Sequence, residues 1–217
     1  MQQVKTYLAL GDSYTIGEGV PLHESFPYQL LQLLRKAAGG ADSRRQGLQP
    51  LTGLDGSGWL YNAPEIIAKT GWTTDELDAQ IQQTKFLPQY DLVSLLIGVN
   101  NQYRGRSVTE FENEFTHLLQ LAIQFAGGKN KQVIVLSIPD WGVTPFAEGR
   151  DRAQVAKEID AYNAVCQKIA SAFDCNFIDI TTSQREDGNK AEFLAADGLH
   201  PSGMEYGKWV GKMHYIL

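Results

Sequence analysis

The sequence contains one stretch, DLVSLLI at residues 91–97, whose nearly unbroken apolar character predicts a buried β-strand. Similar apolar runs occupy residues 4–10, 131–138 and 175–180, and a shorter strand candidate occupies residues 65–69. Strands that are apolar on both faces are typical of a parallel sheet covered by helices. The strand pattern therefore favours an α/β protein.

Segments with helical periodicity separate these strands. They cover residues 25–38, 73–83, 107–125, 150–173 and 203–214. Ser107 followed by Glu110 predicts a capping box at the start of the third helix. The alternation of strands and helices predicts a three-layer α/β/α sandwich around a central parallel, flavodoxin-like sheet of about five strands. Because no linker, repeat or low-complexity tract interrupts residues 1–217, one domain is expected.

Residues 39–62 do not fit this alternation. The segment contains several glycines and no clear periodicity, and a loop of this length is uncommon in a compact domain unless it is functional. Two interpretations stay open: a loop on the substrate side, or a short strand hidden around residues 59–61.

Composition excludes several classes of protein. The 19 basic and 25 acidic residues give a net charge of −6, and no Lys/Arg run is present, which argues against nucleic-acid binding. No apolar stretch approaches the roughly 20 residues of a membrane span. The start of the chain is too short for a signal peptide, so a cytoplasmic location is expected, although removal of a leader would leave the same sequence. Cys166 and Cys175 lack metal-site spacing and are expected to be buried free thiols, typical of a reducing compartment.

Three residues that could take part in catalysis follow the ends of three predicted strands. Ser13, Gly71 and Asn100 each lie two or three residues beyond the end of a strand. Because ligands of parallel sheets bind outside the carboxyl ends of the strands, we expect these residues to converge. This convergence carries more weight than any single motif.

Ser13 in Gly11-Asp12-Ser13-Tyr14 can serve as a nucleophile on a tight strand-to-helix turn, with Gly11 allowing the sharp backbone path. A serine that only caps a helix is the structural alternative. The stretch is not a G-x-S-x-G elbow, because Thr15 occupies the position of the second glycine.

His200 is the histidine best placed to act as a base. Asp197 precedes it by three residues in Asp197-Gly198-Leu199-His200-Pro201, a turn that can fold the carboxylate onto one ring nitrogen. An ordinary surface turn is the alternative. The remaining histidines, His23, His117 and His214, are interpreted as structural.

Asn100 and Gly71 are candidate oxyanion donors. The Asn100 side chain can donate an N–H, and glycine at position 71 lets its backbone N–H approach a substrate closely. Both residue types are also common in turns that have no catalytic role.

Together these motifs resemble the SGNH hydrolase superfamily, the GDSL-type esterases and lipases, over about residues 4–202. The four blocks occur in the family's order, with Tyr14 in place of the usual leucine and Asn101 in place of the usual aspartate. The resemblance implies Ser13 as the nucleophile, His200 as the general base and Asp197 as the residue that orients it. It implies an oxyanion hole made of the Ser13 and Gly71 backbone N–H groups and the Asn100 side chain, with no metal or organic cofactor.

The resemblance also implies a substrate region around residues 137–145, and we consider Trp141 and Phe146 possible substrate contacts. Aromatic residues in predicted loops, which can line an apolar or sugar-binding cleft, are Trp59, Trp72, Tyr103 and Trp141. The expected partner is a small-molecule or glycan ester, and the absence of a long apolar lid favours short or soluble acyl groups.

Other functions remain to be weighed against ester hydrolysis. The same three catalytic residue types serve acyltransferases and carbohydrate O-deacetylases, and the sequence does not separate these activities. A catalytically silent binding module would be expected to lack one of the three residues. A flavodoxin-like phosphate binder would need a Gly-rich loop with Lys at the first turn, where this chain places Asp12.

Overall fold

Five parallel strands form the central sheet of the computed structural model, which describes residues 4–39 and 60–217. With the strands numbered in chain order, they are β2 (Tyr7–Asp12), β4 (Glu65–Lys69), β5 (Leu92–Leu96), β6 (Val133–Leu136) and β7 (Asn176–Ile178). They lie in the order β4-β2-β5-β6-β7, with helices packed around them. This arrangement confirms the predicted fold class.

The strand order creates a topological switch point between β2 and β5. From β2 the chain crosses to β4 at one edge, and from β4 it returns past β2 to β5. Gly11 lies opposite Leu96 in this pairing, so β2 and β5 end almost level. Because connections that leave a switch point in opposite directions cover opposite faces, a crevice opens between these two strand ends.

A second, two-stranded sheet explains why the predicted strand at residues 4–10 is divided. β1 (Val4–Lys5) pairs in parallel with β3 (Leu60–Tyr61), whereas β2 joins the central sheet and continues to Asp12. The division falls at Thr6, whose backbone N–H donates to Asp91 Oδ2 over 2.9 Å. β3 confirms the alternative of a short strand near residues 59–61, while residues 40–59 lie outside the described residues.

Two strands are shorter in the structure than the sequence predicts. The strand expected at residues 131–138 begins at Val133, because Asn130–Gln132 forms a 3₁₀ turn, and it ends at Leu136. The strand expected at residues 175–180 is reduced to β7, and its last predicted residue, Ile180, donates its N–H to the Ser137 hydroxyl. Apolar character therefore continues past the hydrogen-bonded ladder in both segments.

Eight α-helices surround the strands in the described part of the chain. They are α1 (Ser13–Ile16), α2 (Phe26–Gly39), α3 (Thr74–Gln83), α4 (Val99–Tyr103), α5 (Val108–Phe125), α6 (Arg152–Ala172), α7 (Thr181–Asp187) and α8 (Gly203–His214). The five predicted helices are all present, each within two residues of its expected bounds. The short helices α1, α4 and α7 lack enough turns to show periodicity and were not predicted.

Capping residues set the helix starts. Ser107 Oγ accepts the backbone N–H of Glu110, but the Glu110 carboxylate lies 3.9 Å from Arg106 and not on the Ser107 N–H. The predicted capping box at this helix is therefore only half formed. The complete capping box lies at α3, where Thr73 and Glu76 exchange hydrogen bonds.

The helices form two packed groups. α2 packs against α8, and α5 packs against both α6 and strand β5. Large side chains fill the core, among them Phe26 and Trp209, which are fully buried and lie 6.1 Å apart between ring centroids. Within residues 4–39 and 60–217, no helix has the length and apolarity needed to cross a membrane.

Candidate active site

Ser13 is the first residue of α1, directly after β2, which lies between β4 and β5 in the central sheet. Asp12 caps this helix, and its carboxylate accepts the backbone N–H of Tyr14 over 3.1 Å. Gly11 is needed because space is short: a Cβ there would come within 2.4 Å of the Leu96 carbonyl oxygen. Gly11 does not have a positive φ, so glycine is required here by the close approach of β5 and not by a left-handed backbone conformation.

A closed turn presents His200. Gly198 adopts a φ of +68°, and the Asp197 carboxylate accepts the backbone N–H groups of Leu199 and His200 over 2.9 and 3.0 Å. The Ala195 N–H donates to the His200 carbonyl oxygen over 2.8 Å and closes the base of the turn. The carboxylate and the imidazole are therefore fixed to the same small loop.

Ser13, His200 and Asp197 are hydrogen-bonded in series. Nδ1 of His200 lies 2.6 Å from Asp197 Oδ2, and Nε2 lies 2.9 Å from Ser13 Oγ. Because an ionised carboxylate only accepts, Nδ1 carries the proton, and Nε2 of the neutral ring accepts from the serine hydroxyl. His200 and Ser13 are both buried, at 6% and 5% exposure.

The environment of Asp197 favours its ionised form. Partial burial by itself raises the pKa of this carboxyl, but hydrogen bonds from the His200 ring and from the His200 and Leu199 backbone N–H groups bring the pKa below its usual value. Asp197 is therefore an anion at neutral pH and stabilises a positive charge on the imidazole.

Gly71 and Asn100 lie beside the serine, as the strand ends predicted. Gly71 has a φ of +83°, a backbone conformation that favours glycine, in the turn after β4. Asn100, at the start of α4, donates one amide hydrogen of Nδ2 to the Trp72 carbonyl oxygen over 3.0 Å. The second hydrogen of the same amide is left for another acceptor.

These groups line one cavity of about 180 Å³. Its lining comprises Ser13, Tyr14, Thr70, Gly71, Val99, Asn100, Tyr103, Trp141, Phe146, Leu199 and His200. The polar groups lie around the serine, and the rest of the wall is largely aromatic or aliphatic. Asp197 lies behind His200 and not on the wall.

Trp141 and Phe146, the two predicted contacts, both reach the cavity. Trp141 is buried, and its indole N–H donates to Gln102 Oε1 over 2.7 Å, which fixes the plane of its ring. Phe146 is 46% exposed, and the Tyr103 ring lies against both of these rings. Of the other loop aromatics, Trp72 packs against the core and does not line the cavity, and Trp59 lies outside the described residues.

Tyr14 is a site residue that sequence reasoning missed. Its ring centroid lies 5.0 Å from that of His200, so the two rings pack together, and both line the cavity. Its place next to Ser13 was visible in the sequence, but the direction of its ring depends on the tertiary fold. The three histidines interpreted as structural, His23, His117 and His214, all lie away from the cavity.

The family of the chain follows from comparison with known proteins. A model of the GDSL-like lipase/acylhydrolase family matches residues 9–204, which include every residue of the hydrogen-bonded series. The chain belongs to this family. The GDSL-like family places it among the carboxylic ester hydrolases, and the predicted resemblance is confirmed.

Solved structures of lipases and esterases share the fold of this chain. A lipase from a goat rumen metagenome is 18% identical, with a TM-score of 0.72 and coverage of 98% of this chain and 97% of that one. An acetylxylan esterase from Geobacillus stearothermophilus is 17% identical, with a TM-score of 0.67 and coverage of 98% and 93%. A lipase/acylhydrolase from Enterococcus faecalis is 21% identical, with a TM-score of 0.63 and coverage of 96% and 93%. No curated protein sequence matches the chain.

The two cysteines lie outside the hydrogen-bonded series. Cys166 and Cys175 are both buried free cysteines, and burial raises the pKa of each thiol. In the described residues, no three or more His, Cys, Asp or Glu side chains are grouped as a metal site would require.

The buried carboxyl group of Asp12 makes the stability of the folded protein depend on pH. The side chain is 1% exposed, and burial raises its pKa from 3.8 to about 7, although the Tyr14 N–H acts in the opposite direction. Between these two values the folded state binds more protons than the unfolded state, so the free energy of unfolding falls as pH rises.

We expect Asp12→Asn to remove this loss, because the asparagine oxygen still accepts the Tyr14 N–H but carries no charge. Because burial raises the pKa from 3.8 to about 7, the wild type should lose roughly 4 kcal/mol of unfolding free energy between these two pH values. Urea unfolding from pH 4 to pH 8 should show the variant gaining stability relative to the wild type up to about pH 7. Parallel curves for the two proteins would contradict the buried ionisation.

Proposed function

We propose that the chain hydrolyses carboxylic esters through an acyl-enzyme, with Ser13 as the nucleophile, His200 as the general base and Asp197 as the residue that orients the imidazole. The observation that carries this proposal is the hydrogen-bonded series from Asp197 through His200 to Ser13, which opens onto the cavity. Membership of the GDSL-like family supports the reaction class.

The first half of the reaction forms the acyl-enzyme. Ser13 Oγ bonds to the ester carbonyl carbon while its proton passes to Nε2 of His200, and the carbonyl oxygen becomes an oxyanion. The resulting imidazolium is stabilised by the Asp197 carboxylate. Collapse of the tetrahedral intermediate breaks the bond to the alcohol oxygen, which takes the proton from Nε2.

The oxyanion would be held by the Ser13 and Gly71 backbone N–H groups and by the second amide hydrogen of Asn100. One donor of this kind is worth about 3 kcal/mol in the transition state. Water then enters, loses a proton to His200 Nε2 and attacks the acyl carbon, so that the carboxylic acid leaves and the serine hydroxyl is restored.

The size of the cavity favours short acyl groups. A cavity of about 180 Å³ is only slightly larger than the engineered protein cavities of about 150 Å³ that hold one benzene molecule. An acyl chain of a few carbons fits such a space, whereas a long chain would have to extend past Phe146 into solvent. Short, water-soluble esters are therefore the proposed substrates.

Replacement of Ser13 by alanine should reduce ester turnover by several orders of magnitude, because no hydroxyl remains to form the acyl-enzyme. The measurement is hydrolysis of p-nitrophenyl esters from acetate to palmitate. We expect the wild type to prefer chains of a few carbons and the variant to be inactive on all of them.

Circular dichroism of both proteins is the control for folding. Equal turnover by the folded wild type and the folded alanine variant would remove Ser13 from the mechanism. A preference for palmitate would contradict the size argument while leaving the role of the serine intact.

One observation favours carbohydrate O-deacetylation as a second candidate function. Tyr103 and Phe146 expose nearly half of their surfaces beside the cavity, with ring centroids 6.3 Å apart. Exposed aromatic faces suit stacking against a sugar ring, and an acetyl group is small enough for the cavity.

If a sugar stacks there, Phe146→Ala should lower kcat/KM for acetylated xylo-oligosaccharides by about tenfold, with little change for p-nitrophenyl acetate. Leu87→Ala is a matched control, because Leu87 is also 46% exposed and does not line the cavity. Equal losses on both substrates would rule out sugar stacking at Phe146. Acetate release is measured by an enzyme-coupled assay.

A further inference from the structure

Three side chains at α4 tie this helix to the turn that follows β4. Asn100 donates to the Trp72 carbonyl oxygen, and Arg104 Nη2 donates to the Gly71 carbonyl oxygen over 2.6 Å. The third is Asn101, which exchanges hydrogen bonds with Thr74. The two segments that carry Asn100 and Gly71 are therefore joined as one hydrogen-bonded unit.

The direction of each hydrogen bond at Asn101 can be assigned. Asn101 is fully buried, and its Oδ1 accepts the backbone N–H of Thr74 over 3.1 Å. Because a backbone N–H only donates, the amide nitrogen must be the atom that faces Thr74 Oγ1, at 2.6 Å. The Thr74 hydroxyl accepts this bond, and its own single proton is free for a further acceptor.

That acceptor is Glu114 on α5, whose Oε2 takes the proton of the Thr74 hydroxyl. The hydrogen bonds therefore run in one direction, from amide to hydroxyl to carboxylate. An ionised carboxylate at position 101 would compete with Glu114 for the same proton and leave one buried acceptor unpaired. This competition gives a physical reason for asparagine at position 101.

We propose that Asn101 is a positioning residue that holds Asn100 and Gly71 in the relative geometry of an oxyanion hole, and that Glu114 is what requires an amide there. The inference rests on the proposed ester hydrolysis, because the geometry it describes matters for the stabilisation of an oxyanion.

Asn101→Asp tests the direction of the hydrogen bonds that run from Asn101 through Thr74 to Glu114. When protonated, the new carboxyl donates to Thr74 as the amide does. When ionised, it cannot donate. The charged groups around this position are Glu114 and Glu110 from α5, Arg106 after α4, and Asp75 from α3, with Arg106 bridging to the three carboxylates at 2.7 to 3.9 Å.

The readout is kcat and KM for p-nitrophenyl acetate between pH 6 and pH 9, expressed as the ratio of variant to wild type so that pH effects common to both proteins cancel. We expect the kcat ratio to fall with rising pH and to reach a loss of about 10- to 100-fold at pH 9, with KM changed less than about twofold. A kcat ratio that stays near one at pH 9 would overturn the proposal.

Glu114→Gln provides the rescue. Alone it should cost about twofold, because the glutamine oxygen still accepts the Thr74 proton. Combined with Asn101→Asp, it allows the hydrogen bonds to run in the opposite direction. The new amide at position 114 then donates to the Thr74 hydroxyl, and this hydroxyl donates to the new carboxylate at position 101. The double variant should recover at least tenfold in kcat at pH 9, and failure to recover would contradict the assigned directions.

A second pair covers the case in which Asn101→Asp does not fold. Thr74→Val is isosteric but removes the hydroxyl, whereas Thr74→Ser keeps it, so kcat should fall at least tenfold in the first and much less in the second. Equal kcat values for these variants would overturn the proposal. Circular dichroism establishes the folded fraction, so a merely structural effect appears as less folded protein with unchanged kcat per folded molecule.

The wild type and Ser13→Ala separate this inference from the proposed function. If the wild type has no Ser13-dependent turnover, the proposed function fails. If it has such turnover while the Asn101 and Thr74 variants behave like the wild type, only the positioning role fails.

Discussion

One hydrogen bond, between Nε2 of His200 and Oγ of Ser13, joins positions that lie 187 residues apart in the chain. A local peptide cannot supply this contact, so it depends on the parallel sheet that holds β2 between β4 and β5. It also depends on the turn at Asp197, whose ends are held by the bridge between Leu194 and Pro201. Both requirements are met at the carboxyl edge of the sheet, where the loops of parallel strands converge.

The same edge explains why the other candidate groups are close to the serine. β4 and β5 flank β2 on its two sides, so the residues that follow these strands lie on either side of Ser13. The α4 contacts then fix Gly71 and Asn100 as a unit. Preorganised donors of this kind need little reorganisation when charge develops in a transition state. Their positions relative to each other are therefore as important as their identities.

The sequence was sufficient to predict the three strands that precede the candidate residues, because apolar strands and helix periodicity are local signals. Ser13, Gly71 and Asn100 could be placed together from these signals alone. The ring of Tyr14 against His200, the contact of Arg104 with Gly71 and the chain from Asn101 to Glu114 could not, since each depends on side-chain direction between distant segments. The strands predicted at residues 131–138 and 175–180 were too long for a related reason. Apolar residues indicate that a segment is buried, but not that its backbone is hydrogen-bonded to a neighbouring strand.

The most direct test of the hydrogen-bonded series is covalent labelling with a p-nitrophenyl alkylphosphonate, followed by mass spectrometry of the digested protein. We predict one phosphonyl group per chain, on Ser13, with release of one equivalent of p-nitrophenol and a much slower reaction in His200→Gln. A label on another residue, no label on the folded protein, or an equal rate in the His200 variant would contradict activation of Ser13 by His200.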